Sequence, residues 1–244
     1  LPAPTLDNCD REPIHIPGAI QSHGVLLALD AAGHVRSASA NVADLLGVPV
    51  PLGQPLPAAL LGHDDGRLAE GVEEGLAALA GRGDLPMPIE CTLHGRTFDM
   101  VQHVSASWLV LEFEERRHSS AELAGFAVQA HRAMEKLRRP RASIDELLQL
   151  ATQELHALTG FDRVMAYRFR YDSSGDVVAE SRVPALDAYV GRRYPASDIP
   201  AQARKLYLAN TLRLIADVSS QPVPLRQDFP EPLDLSSSLL RSVS

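Results

Sequence analysis

The stretch Val25-Leu26-Leu27-Ala28-Leu29-Asp30-Ala31-Ala32-Gly33-His34-Val35-Arg36-Ser37-Ala38-Ser39 gives the clearest structural signal in the first half of the sequence. An unbroken apolar run ends at Asp30, a short turn containing Gly33 follows, and polarity then alternates from Val35 to Ser39. Two such runs on either side of a glycine-containing turn are typical of a β-hairpin. We therefore predict that residues 25–39 form two paired strands.

The residues after the hairpin predict a short helix and further strands. Asn41 can cap a helix that runs through Leu46, and Gly47 can end it because glycine tolerates the left-handed conformation. Strand patterns then cover three stretches, Pro86–Cys91, Thr97–Ser105 and Trp108–Glu114. Hairpin, short helices and three more strands indicate an α+β domain within the first 116 residues.

A helical pattern follows this domain between residues 119 and 139. Its apolar residues recur at three- and four-residue steps and are Leu123, Phe126, Ala127, Ala130, Met134 and Leu137. Pro140 ends this helix, and Ser143 with Glu146 has the spacing of a capping box that starts a second helix, which ends at Gly160. Strand patterns at residues 164–170 and 176–181 flank a polar turn. A second α+β domain is therefore predicted.

The segment from Gln221 to Asp234 contains four prolines. Proline lacks a backbone donor, so we expect this segment to be a long irregular loop and to contribute neither a helix nor a central strand. Two strands and one loop after the first helix of the second domain are too few to close a core. We therefore expect that domain to need elements beyond residue 244.

Composition narrows the functional classes. The formal net charge is −8 and there is no basic stripe, so nucleic acid is not an expected partner. No apolar run approaches the roughly 18 residues of a membrane span, and no signal-peptide pattern precedes the first domain. With only Cys9 and Cys91, a disulfide scaffold is not expected either. We predict a soluble, cytoplasmic protein.

The segment Tyr194-Pro195-Ala196-Ser197-Asp198-Ile199-Pro200-Ala201-Gln202-Ala203-Arg204 is the least ordinary part of the chain. Two prolines five residues apart restrict the backbone and leave a rigid corner with carbonyl groups that need partners. Such a corner can form part of a ligand site. The simpler alternative is a helix start capped by Ser197 or Asp198.

Three motifs together resemble the photosensory module of bacteriophytochromes. They are Asp7 to Gly24, which includes Cys9 and Pro-Ile-His-Ile-Pro-Gly, Gly160 to Phe169, and Tyr194 to Pro200. The resemblance implies a PAS domain followed by a GAF domain, with antiparallel sheets flanked by helices and the leader threaded through the proline-rich GAF loop in a figure-eight knot. It also implies the domain boundaries, which are a leader over residues 1–20, PAS over 21–116, a connecting helix over 117–140 and GAF over 141–244.

The resemblance further implies a bilin chromophore, biliverdin IXα, attached by a thioether to Cys9. The implied chromophore-binding residues are Cys9, Tyr167, Tyr194, Asp198, Ile199, Pro200, Tyr207, Arg213, Arg241 and Ser244. Among them, the Asp198 carbonyl would face the pyrrole nitrogens, the three tyrosines would surround the D ring, and the two arginines would bind the propionates. Taken alone, Tyr167 and Tyr207 also fit ordinary core packing, and either arginine fits a solvated surface.

The implied function is a red/far-red photoreceptor module that is not an enzyme, attaches its own chromophore and relays bilin photoisomerisation to a downstream output domain, such as a histidine kinase. The apolar stripe from Leu123 to Leu137 and exposed GAF helices can serve a parallel or antiparallel homodimer. Two alternatives stay open from the residues alone. One is a PAS-GAF regulator of a non-bilin ligand such as a cyclic nucleotide or haem, and the other is a thiol enzyme that uses Cys9 with His15 or His23.

Overall fold

The computed structural model describes residues 12–62 and 66–242. The chain divides into two compact units, Leu1–Arg117 together with Gln202–Ser244, and His118–Ala201. Residues 202–244 group with the first unit because a late strand and the segment after it pack on the first sheet. Packing of this kind does not fix domain boundaries, so the boundaries given above stay predictions.

The first unit contains one seven-stranded sheet with short helices. Its elements are β1 (Ala19–Ile20), β2 (Gly24–Leu29), β3 (Val35–Ser39), α1 (Val42–Leu46), α2 (Ala58–Leu61), α3 (Arg67–Leu79), β4 (Ile89–Leu93), β5 (Arg96–Ser105), β6 (Trp108–Glu115) and β10 (Val223–Gln227). The strand order is β1-β10-β3-β2-β6-β5-β4, and all neighbours are antiparallel.

The predicted hairpin is confirmed as β2 and β3. The Asp30 carboxylate accepts hydrogen bonds from the backbone amides of Ala32 (3.0 Å) and His34 (2.9 Å), and Gly33 adopts a positive φ of 79°. These local bonds close the turn without help from distant residues. The strands predicted at 97–105 and 108–114 are confirmed as β5 and β6, whereas the one predicted at 86–91 lies slightly later, at β4.

Helix α1 confirms the predicted helix but not its predicted cap. Gly47 ends the helix with φ 72°, as expected. Asn41 precedes the helix, yet its side chain makes no capping hydrogen bond. Its amide nitrogen donates instead to the Gly24 carbonyl at 2.9 Å. The sequence-based capping role was wrong because Asn41 finds its partner in β2 and not in its own helix.

Strand β2 is buried on both faces of the sheet, which explains its unbroken apolar sequence. One face packs under the helices with the side chains Val25, Leu27, Leu29, Leu109, Leu111, Phe113, Leu46, Leu60, Leu68 and Val72. The opposite face carries Leu26, Ala28 and Val110. Successive side chains along a strand point to opposite faces of the sheet, so the apolar side chains on both faces of this sheet must be packed against other parts of the chain.

Strand β10 overturns the prediction that residues 221–234 contain no central strand. Residues 223–227 lie between β1 and β3. Pro224 is tolerated because the ladder between β10 and β3 ends at the pair Leu225 and Ser39, so the amide hydrogen that Pro224 lacks is not needed in that ladder. The Pro224 carbonyl still accepts a hydrogen bond from the Ala40 amide at 3.0 Å. A proline at the end of one ladder does not prevent a strand from being central.

Residues 228–242, here called the covering segment, form the second cover of the sheet. Its side chains Phe229, Leu233, Leu235 and Leu240 pack on the face that carries Leu26, Ala28 and Val110. Phe229 stacks on Trp108 with ring centroids 4.5 Å apart. The covering segment therefore completes the core of the first unit.

The second unit is a three-stranded antiparallel sheet with two helices. Its elements are α4 (Ser120–Leu137), α5 (Ile144–Thr159), β7 (Arg163–Phe169), β8 (Gly175–Arg182), β9 (Arg193–Tyr194) and a 3-10 turn (Ala196–Asp198), after which α6 (Ala201–Ala209) runs into the first unit. The sheet order is β7-β8-β9. Both helices and both strands predicted for this region are confirmed.

The start of α5 corrects one predicted detail. The Ser143 hydroxyl accepts from the Glu146 amide at 3.2 Å, as a capping box requires. The Glu146 carboxylate, however, accepts from Ala142 at 3.1 Å and not from Ser143. A reciprocal capping box is present instead at α4, between Ser119 and Glu122.

The apolar stripe of α4 remains largely exposed within its unit. Phe126 is 48% exposed and Met134 is 52% exposed, while Ala133 is buried where α4 meets α5. The homodimer predicted from this stripe stays a prediction. Across residues 12–62 and 66–242, no helix combines the length and apolar character that crossing a bilayer requires.

Candidate functional site

The predicted site residues fall into three groups. Cys9 and Ser244 lie outside the described residues. Tyr167, Tyr194, Asp198, Ile199 and Pro200 lie in the second unit, whereas Tyr207, Arg213 and Arg241 lie in the first. Each unit can therefore be assessed on its own.

Arg213 and Arg241 form a close pair in the first unit. The Arg213 guanidinium donates to the Arg241 carbonyl at 2.6 Å and to the Ser242 carbonyl at 3.0 Å. Arg241 donates through Nη1 to the Ile14 carbonyl at 2.7 Å. Backbone carbonyls thus hold both side chains, and neither is the freely solvated arginine that the simpler alternative predicted.

The charges of this pair are not neutralised by an ion pair. Within residues 12–62 and 66–242, neither guanidinium lies within salt-bridge distance of a carboxylate. Burial lowers the pKa of both groups, and the positive charge of Arg241 lowers the pKa of Arg213 further. The Nε of Arg241 is buried and has no hydrogen-bond partner among the residues that the structure describes. Two half-buried cations with an unused donor favour an anionic ligand.

Gln21 holds the chain segments around this pair and was not recognised from the sequence. Its side chain is 3% exposed. The amide nitrogen donates to the carbonyls of Leu214 (2.8 Å) and Arg241 (3.2 Å), and the amide oxygen accepts from the Ala216 backbone at 2.9 Å. One buried amide therefore joins the start of the sheet to Leu214 and Ala216, which follow Arg213, and to the backbone of Arg241. Nothing in the local sequence around Gln21 signals this role.

Aromatic side chains cluster on the sheet of the second unit. Tyr167 on β7 lies 5.2 Å from Phe169 and 6.2 Å from Tyr194, measured between ring centroids. Tyr189, which sequence reasoning missed, lies 6.5 Å from Tyr194 and carries the guanidinium of Arg163 over its ring at 3.7 Å. Tyr167 and Tyr194 thus lie close together, and their role around the D ring stays a prediction. Tyr207 belongs to the other unit and is 47% exposed there, so ordinary core packing does not describe it.

Gly175 lies under the Tyr167 ring. A Cβ atom placed on Gly175 would come within 2.0 Å of the ring, although the Gly175 backbone needs no positive φ. The glycine is therefore required by the close approach of the tyrosine and not by its own backbone conformation. An isolated glycine at the start of a strand is the only sequence signal for this contact.

We expect Gly175→Ala to move Tyr167 while leaving the fold intact. The obstacle is the end of a side chain, so the ring can turn away and the free energy of unfolding should change by less than about 1 kcal/mol. The near-ultraviolet circular dichroism of the tyrosines should change. Gly125→Ala on α4 is the control, because nothing lies within 4 Å of its added Cβ. An unchanged tyrosine spectrum in Gly175→Ala would contradict the contact.

The corner from Tyr194 to Pro200 forms as a 3-10 turn between β9 and α6. The Asp198 amide donates to the Pro195 carbonyl at 3.2 Å, and the Asp198 side chain is exposed. Ile199 and Pro200 are half-buried, and α6 begins directly after Pro200. The two prolines flank this turn and a helix starts directly after it, whereas capping of that helix by Ser197 or Asp198 stays a prediction.

Comparison with known proteins agrees with this architecture. A family model described as the PAS fold matches residues 9–116. The chain is 46% identical to a bacteriophytochrome of Pseudomonas aeruginosa and 42% identical to one of Xanthomonas campestris pv. campestris, covering 98% of this chain in both cases. It covers 33% and 38% of those relatives, so it spans about a third of their length.

Among solved structures, the wild-type chromophore-binding domain of a Stigmatella aurantiaca phytochrome superposes with a TM-score of 0.84 at 40% identity. The match covers 97% of this chain and 79% of the solved one. Identity at this level over most of a solved domain, together with the PAS fold of the first unit, establishes common ancestry and common architecture. The chain therefore belongs to the bacteriophytochrome family of photoreceptors.

Proposed function

We propose that this chain is a red/far-red photoreceptor module that covalently binds biliverdin IXα. The observation that carries the proposal is the pair Arg213 and Arg241, two half-buried guanidinium groups without a carboxylate partner among the described residues, in a chain of this family. Biliverdin carries two propionates, which are carboxylates that match the planar donor fork of arginine. The pair thus fits the chemistry of the proposed chromophore.

The remaining predicted residues have distinct proposed roles. The Asp198 carbonyl would accept from the pyrrole N–H groups, and Ile199 and Pro200 would keep the backbone of that corner rigid. Tyr167, Tyr194 and Tyr207 would bound the space available to the D ring, and Ser244 is a further proposed chromophore-binding residue. When bound, the bilin supplies light absorption and isomerisation about the bridge to its D ring.

Cys9 is the proposed attachment residue. The Cys9 sulfur would add to one carbon of the A-ring vinyl group and a proton, matching the one lost from the thiol, would add to the other, so that one C–S and one C–H bond replace the S–H bond and the vinyl π bond. The step is balanced without an oxidant or a leaving group, which supports attachment without a separate enzyme. The thiolate is the attacking form, so Arg11 favours the addition while Asp7 and Asp10 oppose it.

Signalling and location form a further part of the proposal. Isomerisation of the bilin would be relayed to a downstream output domain, for which a histidine kinase is the proposed partner, and a homodimer is proposed through the exposed α4 stripe around Phe126. A cytoplasmic location is supported by the sparse use of cysteine. Neither nucleic acid nor a membrane is a proposed partner.

The test is a titration of the purified protein with biliverdin. We expect coloured protein whose absorption changes on red illumination. Arg213→Met should weaken binding about tenfold to a hundredfold, because it removes charge-assisted hydrogen bonds to a propionate. Arg226→Met is the control, since Arg226 is an exposed arginine on β10.

Two results would contradict the proposal. Wild-type protein that stays colourless with biliverdin but binds a cyclic nucleotide or haem would favour the alternative regulator. Equal biliverdin affinity in Arg213→Met and Arg226→Met would remove the arginine pair from the site.

A further inference from the structure

Glu112 is a buried carboxyl group that joins the sheet to the covering segment. It lies on β6, is 3% exposed, and shares its face of the sheet with the apolar residues under that segment. The Ser238 hydroxyl donates to Glu112 Oε1, and the Leu239 amide donates to Oε2 at 3.0 Å. Residues 112 and 239 are 127 positions apart, so the contact is purely tertiary.

A short hydrogen-bonded path leads from Glu112 to the arginine pair. The Leu240 amide donates to the Ser238 hydroxyl at 3.1 Å. The next residue is Arg241, whose carbonyl accepts from Arg213 at 2.6 Å. Displacing residues 238–240 therefore moves both the backbone acceptor of Arg213 and the Arg241 side chain.

Burial raises the pKa of Glu112 to about 7, although the hydrogen bonds from Ser238, Leu239 and Leu240 act in the opposite direction. The ionised Glu114, two residues along β6, adds to the increase. Among the described residues, further titratable or charged groups on the elements packed around Glu112 are His23 before β2, Asp99 and His103 on β5, and Asp234 and Arg241 on the covering segment, with Asp228 and Glu231 earlier on that segment.

Linkage fixes the sign of the pH effect. A Glu112 side chain exposed by opening of the covering segment returns to its ordinary pKa of 4.5. The closed form thus binds the proton more tightly than the open form, and closure weakens as pH rises from 4.5 through about 7. His103 titrates in the opposite sense, because burial lowers its pKa to about 4.

We infer that Glu112 is a positioning residue for the anion site: when protonated it keeps residues 238–240 closed on the sheet and holds Arg213 and Arg241 in place, and its ionisation loosens them. The inference rests on the proposed binding of the bilin propionates by these arginines. It makes chromophore binding by this chain sensitive to pH near neutrality.

Glu112→Gln is the decisive variant. The amide has the shape of the protonated carboxyl group, so its oxygen can accept from Leu239 while its nitrogen donates to the Ser238 oxygen. Glu114→Gln is the matched control, because Glu114 lies on the same strand with a side chain that is 46% exposed. His103 is present in all three proteins, so its titration cancels when they are compared.

The first measurement is hydrogen exchange at the amides of Leu239 and Leu240 in protein without chromophore. The protection of wild type relative to Glu112→Gln should fall about tenfold between pH 6 and pH 8. Glu114→Gln should show a fall of the same kind, displaced to lower pH because the Glu114 charge that raises the pKa of Glu112 is gone. A ratio of exchange protection that does not change with pH would overturn the inference, independently of any result on chromophore binding.

The second measurement is the affinity for biliverdin, with Cys9 replaced by alanine in every protein so that binding is reversible. The biliverdin affinity of the protein that keeps Glu112 should fall about tenfold between pH 6 and pH 8, relative to the affinity of the Glu112→Gln variant. If the exchange protection of Leu239 and Leu240 changes with pH but the ratio of biliverdin affinities stays constant, Glu112 does not position the arginine pair. Colourless protein at both pH values would overturn the proposed function, and the exchange result would still decide whether Glu112 closes the covering segment.

Discussion

Cys9→Ala abolishes covalent attachment of biliverdin, which we expect to be the largest single effect in this protein. The fluorescent band that zinc gives with a protein-bound bilin on a denaturing gel should disappear, because a noncovalent bilin separates from an unfolded chain. The only other thiol belongs to Cys91, which is fully buried on β4 and cannot reach a bilin without unfolding of the first core.

Cys91→Ala is the matched control for this experiment. It removes a sulfur atom from the core and should leave the fluorescent band intact. Native Cys9→Ala should still become coloured with biliverdin, since the arginine pair and the Tyr194 to Pro200 corner are unchanged. A covalent band of equal strength in Cys9→Ala would disprove Cys9 as the attachment site.

Gln21→Ala should destabilise the first unit by about 1–3 kcal/mol, because it removes a buried amide and leaves partly buried backbone groups of Leu214, Ala216 and Arg241 without their partner. The measurement is urea unfolding followed by tryptophan fluorescence. Trp108 is the single tryptophan and stacks on Phe229 of the covering segment, so its emission reports this unit.

Ser22→Ala is the control for Gln21→Ala. Ser22 is the next residue and is exposed, so its removal should change the free energy of unfolding by less than about 0.5 kcal/mol. Similar losses in the two variants would show that the Gln21 amide does not join the surrounding segments in solution. The Gln21 variant should also bind biliverdin more weakly, since the amide donates to the Arg241 carbonyl.

These contacts bear on the predicted threading of the leader. Residues 14–21 contact the segment before β10 through Gln21, β10 itself through Gly18, and the covering segment through Ile14 and His15. The start of the described chain therefore contacts the segments through which the leader is predicted to thread. The threading itself stays a prediction, and so does the position of Cys9.

Much of the secondary structure could be predicted from local sequence. The hairpin is confirmed because the Asp30 carboxylate and Gly33 close its turn within a few residues. Helix α5 is confirmed because Ser143 starts it and Gly160, with φ 68°, ends it. In both cases the groups that decide the structure are near neighbours in the chain, so periodicity and capping patterns report them.

The failures share a physical cause. Asn41 was assigned to its own helix but donates to Gly24, and residues 223–227 were assigned to a loop but pair with β1 and β3. The local sequence in each case allows more than one hydrogen-bond partner. Which partner is used depends on a strand that lies far away along the chain.

The candidate site divides in the same way. Sequence motifs identified the family and nominated Tyr167, Tyr194, Arg213 and Arg241. They did not identify Gly175, Gln21 or Glu112, since a glycine, a glutamine and a glutamate have no local pattern that marks a close approach, a buried amide or a buried carboxyl group.

The sequence by itself thus determined the α+β class, most helices and strands, the family and the residue types available to a bilin. Only the tertiary structure decided that β10 and the covering segment complete the first core, that two arginines share a half-buried site, and that Glu112 is buried under the covering segment. The reason is distance along the chain: Gln21 and Leu214 are 193 positions apart, and burial and pKa depend on such contacts.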